Sequence, residues 1–203
     1  ALQAKTYDFL AAPVTVNAER AANLLFTEGF MDTNFAFVVP ADAPEYASLD
    51  DLKGKTIAVN KGSAYDSYLR EREAEFGWTV ESYGTNTDAV AAVLAGRADA
   101  NLAGATVAAW AAKQNPQIKL SYEIQTGLVW GLAFRKDDEE GRNLIDKALE
   151  CLKIDGSMAM LSEKWFGVVP AAGTTIVTPS KGYGVPGLEG YVEDDHQPSC
   201  ELN

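Results

Sequence analysis

Apolar and polar positions fall in alternating blocks along this chain, and the blocks read as an ordered series of strands and helices. Leu2, Gln3, Ala4 and Lys5 resemble a helix end. Tyr7, Asp8, Phe9 and Leu10 then start a short strand, which Pro13 is predicted to break. Asn17 heads one helical turn as its cap. Residues 35–39 are an unbroken apolar run, read as a buried strand closed by Pro40, and residues 48–52 form a short helix with a Ser48 cap. The next stretch is the most regular. A strand at 56–59, a turn at 60–63 and a helix at 64–76 ended by Gly77 lead to an alternating strand at 78–83. A helix capped by Asn86 or Thr87 then turns Val90, Val93 and Leu94 to one side and stops at Gly96 and Arg97. Residues 99–102, 106–113, 118–124 and 127–134 continue as strand, helix, strand, strand. The acids Asp137, Asp138, Glu139 and Glu140 open a long helix at its N-terminus, where negative charge offsets the helix dipole. Leu144, Ile145, Ala148, Leu149 and Leu152 are its expected buried face. A last helix covers 158–166. Strands alternating with helices at this spacing predict an α/β protein with a parallel sheet.

Beyond Gly167 the periodicity ends. The remaining residues carry Pro170, Pro179, Pro186 and Pro198 among several glycines. Composition alone makes this a flexible tail, whereas Ile176, Val177, Tyr183, Val185, Leu188 and Tyr191 are able to pin it to a surface. Cysteine usage bears on the choice. The chain has two cysteines, Cys151 in the long helix and Cys200 in the tail. A disulfide between them would fasten the tail to that helix and implies an oxidising compartment; two lone buried thiols are the alternative. One histidine and no paired-cysteine motif exclude a zinc site.

The whole is 203 residues, enough for one large domain or two small ones, with 47% hydrophobic and 23% charged positions, the profile of a globular protein. Seventeen Lys and Arg against 29 Asp and Glu give a net charge of −12. That balance argues against nucleic acid, whose binding rests on phosphate neutralisation by a basic face, and against an anionic membrane surface. No apolar run is long enough for a transmembrane helix, and the first residues lack the regions of a signal peptide, as a processed chain would.

Five short motifs, in one order, carry a resemblance. They are the opening Leu2-Gln3-Ala4-Lys5 with Tyr7-Asp8; Thr15-Val16-Asn17-Ala18-Glu19-Arg20; and Leu49-Asp50-Asp51-Leu52-Lys53-Gly54-Lys55-Thr56-Ile57-Ala58-Val59 with Gly62-Ser63. Leu94-Ala95-Gly96-Arg97-Ala98-Asp99-Ala100 is the fourth, and Ile154-Asp155-Gly156-Ser157 with Glu163-Lys164-Trp165-Phe166-Gly167 the fifth. Together they resemble the periplasmic solute-binding proteins of bacterial ABC importers, in the polar amino-acid branch, over residues 1 to 167. The resemblance implies a two-lobed, type II periplasmic-binding-protein-like α/β fold. One lobe would combine 1–38 with 130–167, the other would be 39–129, and 168–203 would be a C-terminal extension packed on the surface. Residues 35–39 and 129–133 would join the lobes. The family's first lobe begins roughly fifty residues earlier in typical element lengths, so the chain reads as a fragment, or as a lobe that is reduced or completed by another chain.

The same resemblance implies a ligand held by its carboxylate and delivered to ABC permease subunits in the periplasm, with no cofactor. Arg20 would grip the carboxylate with two parallel hydrogen bonds, helped by the Thr15 hydroxyl. Spacing alone favours a solvated helix-end arginine, and the resemblance reverses that order. Ser63 and the Ala64 N–H open a helix after a buried strand and would hold the same anion; Ser63 is also the natural cap. Ala12, Tyr65 and Trp130 complete the candidate set, with core packing the plain alternative for Trp130 and a solvated first-turn residue for Tyr65. Gly104 stands where the family commonly has an aspartate for the ligand's ammonium group. Its absence points to a non-standard amino acid or another small carboxylate, or to a substitute such as Asn101. Trp78, Trp110 and Trp165 read as core or helix–helix contacts, and His196 as solvated. A dehydratase-like enzyme on this scaffold would need a carboxylate or histidine in the cleft, and the candidate residues include none. A receptor's sensing module is the other alternative.

Overall fold

A computed structural model of the chain describes residues 2–167 and 169–201, and within it the chain divides into two compact units. Residues 1–33 and 127–203 make the first, residues 34–126 the second. These boundaries differ from those expected at 38/39 and 129/130, as strand pairing places residues 35–38 in the second unit and Val129 in the first. The tail belongs to the first unit.

In chain order the elements are β1 (Phe9–Thr15), α1 (Ala18–Ala21), β2 (Leu24–Phe26), β3 (Met31–Asp32), β4 (Phe35–Pro40), a 3-10 turn at Asp50–Leu52, and β5 (Thr56–Asn60). Then come α2 (Ala64–Phe76), β6 (Thr79–Tyr83), α3 (Asn86–Leu94), β7 (Ala100–Gly104), α4 (Ala105–Gln114), β8 (Ile118–Ile124), β9 (Val129–Arg135), α5 (Glu139–Ile154) and α6 (Ser157–Phe166). Mixed α/β architecture is as the sequence predicts, and the expected parallel pairing is confined to three strands of a mixed sheet. In the second unit the order is β6-β5-β7-β4-β8, with β5 parallel to β6 and β7 while β4 runs antiparallel to β7 and β8. In the first unit β9 is the spine, flanked antiparallel by β1 on one side and by β2 and β3 on the other.

Side-chain alternation along β4 separates the two faces of the second sheet. Ala36 and Val38 meet Ala89, Ala92 and Val93 of α3 and Ala108 of α4, where small side chains let the helices lie close. Phe35 points the other way, edge-on to Tyr65 and Tyr68 of α2 with ring centroids 4.8 and 5.6 Å apart.

Several expectations fail for identifiable reasons. Pro13 does not end its strand: β1 runs on to Thr15, with its register slipping between Leu10 and Val14, as an edge strand tolerates a residue without an N–H. Ser48 does not cap; the Asp51 carboxylate takes the Ala47 and Ser48 amides instead. Trp110 and Trp165 are 60% and 67% exposed, so only Trp78 and Trp130 are core. Most consequential is α5, where Leu144 is 51% exposed and Leu152 38%, while Arg142, Asp146, Glu150 and Lys153 are buried alongside Leu149. Its charged stripe faces inward.

Candidate functional site

In the first unit, β1 ends at Thr15, which pairs with Trp130 on β9. Val16 donates to the Val129 carbonyl at 2.9 Å, and the chain then turns into α1. Asn17 caps that turn, its side-chain oxygen accepting the Arg20 N–H at 2.9 Å. The turn swings the Arg20 guanidinium back over the strand end, where Nη1 donates to the Thr15 carbonyl at 3.0 Å. The five-residue spacing therefore places the two candidates side by side. Thr15 is buried and Arg20 half-buried, while Ala12 is exposed in the slipped part of β1. Trp130 is 7% exposed and sits between β1 and β3, opposite both Thr15 and Met31, so it packs as core.

In the second unit, β5 delivers the chain to Lys61 and Gly62. Gly62 has φ +71°, a left-handed conformation that an L side chain adopts only with strain. Ser63 then caps α2. Its Oγ accepts the Asp66 N–H at 3.1 Å and donates to the Asn60 carbonyl at 2.6 Å. The hydroxyl proton is thus engaged inside the turn. Asp66 returns to the turn as well, accepting from the Gly62 N–H at 2.9 Å, and is itself held by Arg70 and Ser82. The Ala64 amide is the first N–H of α2, a position with no intrahelical acceptor. Tyr65 leans on Phe35 and is half-buried. Gly104 ends β7 and begins α4, where the Ala105 N–H donates to the Asn34 carbonyl at 2.8 Å. Asn101 is fully buried, with Nδ2 donating to the Ala58 carbonyl at 3.0 Å.

The largest group of functional-type side chains lies between α5 and the tail, where no local motif marks one. Lys153 Nζ lies 3.0 Å from Glu28 with neither side chain exposed, and also donates to the Gly29 and Thr178 carbonyls. Glu28 accepts the Ser180 N–H. Asp146 accepts two amides at 2.6 Å, from Glu28 and Gly184. Arg142 Nη1 donates to the Phe26 and Gly190 carbonyls. Gly184 has φ +85°, and a Cβ there would stand 2.8 Å from Arg142 Nη1, so only glycine brings the tail this close. His196 is not solvated. Its Nε2 lies 2.9 Å from Glu150, its Nδ1 2.6 Å from Asp194, and its ring stacks on Tyr183. The tail is fastened by the Cys151–Cys200 disulfide, the first of the two states open to these cysteines. Asp155 brings a third metal-type donor to that pair, but both sulfurs are occupied by each other.

Burial dominates the proton equilibria here. It pushes the Asp146 carboxyl up to about 7 against the pull of its two amides and of Arg142. It raises Glu28 as well, with Lys153 opposing. Burial lowers His196, yet its hydrogen bonds to Glu150 and Asp194 outweigh that and leave it raised. All three groups hold protons more firmly folded than unfolded, so their stabilisation is complete at low pH and is lost as pH rises through the folded values. The melting temperature is accordingly expected to fall by about 5–10 °C between pH 5 and pH 8. His196→Gln should flatten that fall, and a wild-type melting temperature that rises over the interval would contradict the assignment.

Among the described residues, no helix is long and apolar enough to cross a membrane. Comparison with known proteins gives one consistent result. The family model for bacterial extracellular solute-binding proteins, family 3, matches residues 1–168. The probable amino-acid-binding protein YxeM of Bacillus subtilis (strain 168) is 32% identical over 168 residues, covering 81% of this chain and 64% of YxeM. The ABC transporter arginine-binding protein 1 of Escherichia coli (strain K12) is 26% identical over 170 residues, 81% of this chain and 68% of that protein. Among solved structures, an ancestral arginine-binding protein bound to arginine superposes with a TM-score of 0.77 at 33% identity, over 82% of this chain and 75% of that one. These proteins are named for binding, not for catalysis, which favours the binding reading over the dehydratase-like alternative.

Proposed function

We propose that this chain, which belongs to the bacterial extracellular solute-binding proteins of family 3, binds a small carboxylate-bearing solute of the amino-acid class and does no covalent chemistry on it. The observation that carries the reading is the Asn17-capped turn that lays the Arg20 guanidinium on the strand end at Thr15. A guanidinium keeps its charge at every physiological pH and matches a carboxylate with two parallel donors. Thr15 is the neighbouring hydroxyl. Within residues 34–126, taken by themselves, the Ala64 amide is a proposed anion donor at the start of α2, and Ser63 shapes that turn, since its own proton is committed to Asn60. Ala12, Tyr65 and Gly104 are the remaining proposed ligand neighbours, while Trp130, packed as core, would act only through the strand that carries it. Relatives named for arginine, cystine and histidine binding support an α-amino acid as the class. Delivery to ABC permease subunits, and action in the periplasm or outside the cell, follow from the same reading.

A thermal-shift panel tests it: basic, neutral and acidic amino acids, cystine, and carboxylates lacking the amino group. A ligand at about a hundredfold over its dissociation constant adds roughly 2.7 kcal/mol, or about 5–10 °C at this size. A shift with amino acids alone supports an α-amino acid ligand. A shift with the des-amino carboxylates too means that Gly104 marks a site blind to the ammonium group. No shift from a cooperatively melting protein overturns the proposal.

A further inference from the structure

The family match stops at residue 168, and the tail beyond it has no counterpart there. Residues 169–201 form no helix or strand; one isolated bridge, Tyr183 with Val192, is their only regular pairing among the described residues. They are held in place by the rest of the first unit, and three of the attachments fall on one short stretch. Thr175 Oγ1 donates to Asp32, the Ser180 N–H donates to Glu28, and Thr178 shares Lys153 with Gly29. Gly29 itself is closed in by Val129 and Thr175: a Cβ added there would stand 2.7 Å from the one and 3.0 Å from the other. Residues 28–33 lead directly to Asn34, where the chain passes out of the first unit, and Val129 lies just past its return at Gly127. At its far end the tail is tied by Cys200, an exposed residue, to Cys151 on α5.

We infer that residues 169–201 are a clasp, locked by the Cys151–Cys200 disulfide, that grips residues 28–33, and that a dithiol reductant opens it. The chemistry is thiol–disulfide exchange. A reagent thiolate attacks the exposed Cys200 sulfur and expels the Cys151 thiolate, and the second reagent thiol then displaces Cys200. The reagent leaves as its cyclic disulfide, having given up two electrons, and two protons end on the protein thiols. The lock closes a separation of 49 residues, so its loss frees the tail end of a segment with little regular pairing of its own. Glu28 then lacks the Ser180 amide, and Asp32 the Thr175 hydroxyl. This inference does not depend on the ligand.

Amide hydrogen exchange on the full chain, folded and oxidised first and then treated with dithiothreitol, reads the outcome directly. The amides of Glu28, Phe30 and Thr33, which donate to Asp146, Trp130 and Leu128, should exchange at least about tenfold faster, together with Ser180, Tyr183 and Gly184. The amides of β5 and of the middle of α5 should hold their protection, and reoxidation should restore the original pattern. Cys151→Ser/Cys200→Ser should reproduce the reduced state without reagent. Unchanged exchange overturns the inference, and so does loosening of the tail alone with residues 28–33 unmoved. Loss of protection throughout the first unit also overturns it, since the disulfide is then an obligate staple rather than a lock.

Discussion

Lys153→Met is expected to destabilise the first unit by about 3–5 kcal/mol, because it leaves Glu28 buried without its cation. Methionine fills the stem of the lysine, so lost packing contributes little, but nothing replaces the ammonium donors to Glu28, Gly29 and Thr178. Glu28 retains the Ser180 amide, which does not compensate a full charge in a site of no exposure. The double variant Glu28→Leu/Lys153→Met should recover most of the loss, as buried pairs replaced together by apolar residues commonly do. Urea unfolding followed by circular dichroism measures both. A proton on Glu28 removes the penalty, so the single variant should approach wild type as the pH is lowered towards 4. A loss below about 1 kcal/mol at pH 7 would show that the pair is not sealed from water.

Arg20→Ala should weaken ligand binding by about 30- to 4,000-fold, from the roughly 2–5 kcal/mol that truncating one partner of a desolvated charged pair costs at about 1.4 kcal/mol per decade. Stability should change by less than about 1 kcal/mol, because the side chain is half-buried and lies outside the apolar core, with Nη1 resting on the Thr15 carbonyl. Arg20→Lys keeps the charge but not the two-pronged geometry and should fall between the two. Calorimetric titration with whichever amino acid shifts the melting temperature decides the matter. Wild-type affinity in Arg20→Ala would remove this residue from the site.

Local signals make much of the fold readable from the chain alone. Helix α2 begins after Ser63 and ends before Gly77 as predicted, because cap and stop are written in neighbouring residues. The proximity of Thr15 and Arg20 is legible in the same way, through an asparagine cap and a short spacing. Misreadings arise where distant chain intervenes. The leucines of α5 form a convincing amphipathic stripe, and that logic assumes water on the charged side. Here the tail occupies that side and supplies amides and carbonyls, so Arg142, Asp146, Glu150 and Lys153 go inward and Leu144 is left in solvent. His196 is unreadable for the same reason, its partner Glu150 lying 46 residues away. Glu28 and Asn101 give no signal, since nothing in their neighbourhoods marks a buried polar group.

The placement of the tail also separates two borders that are easily treated as one. Likeness to the family ends at residue 168, yet the first compact unit runs past it to the disulfide at Cys200. Trimming the chain to its recognisable part would excise one acceptor each of Arg142 and Lys153 and one donor each to Glu28 and Asp146, while every residue on which kinship is judged stayed in place. For this chain, ancestry and autonomy have different outlines. A segment that looks like an appendage when compared with its relatives is, energetically, part of the wall.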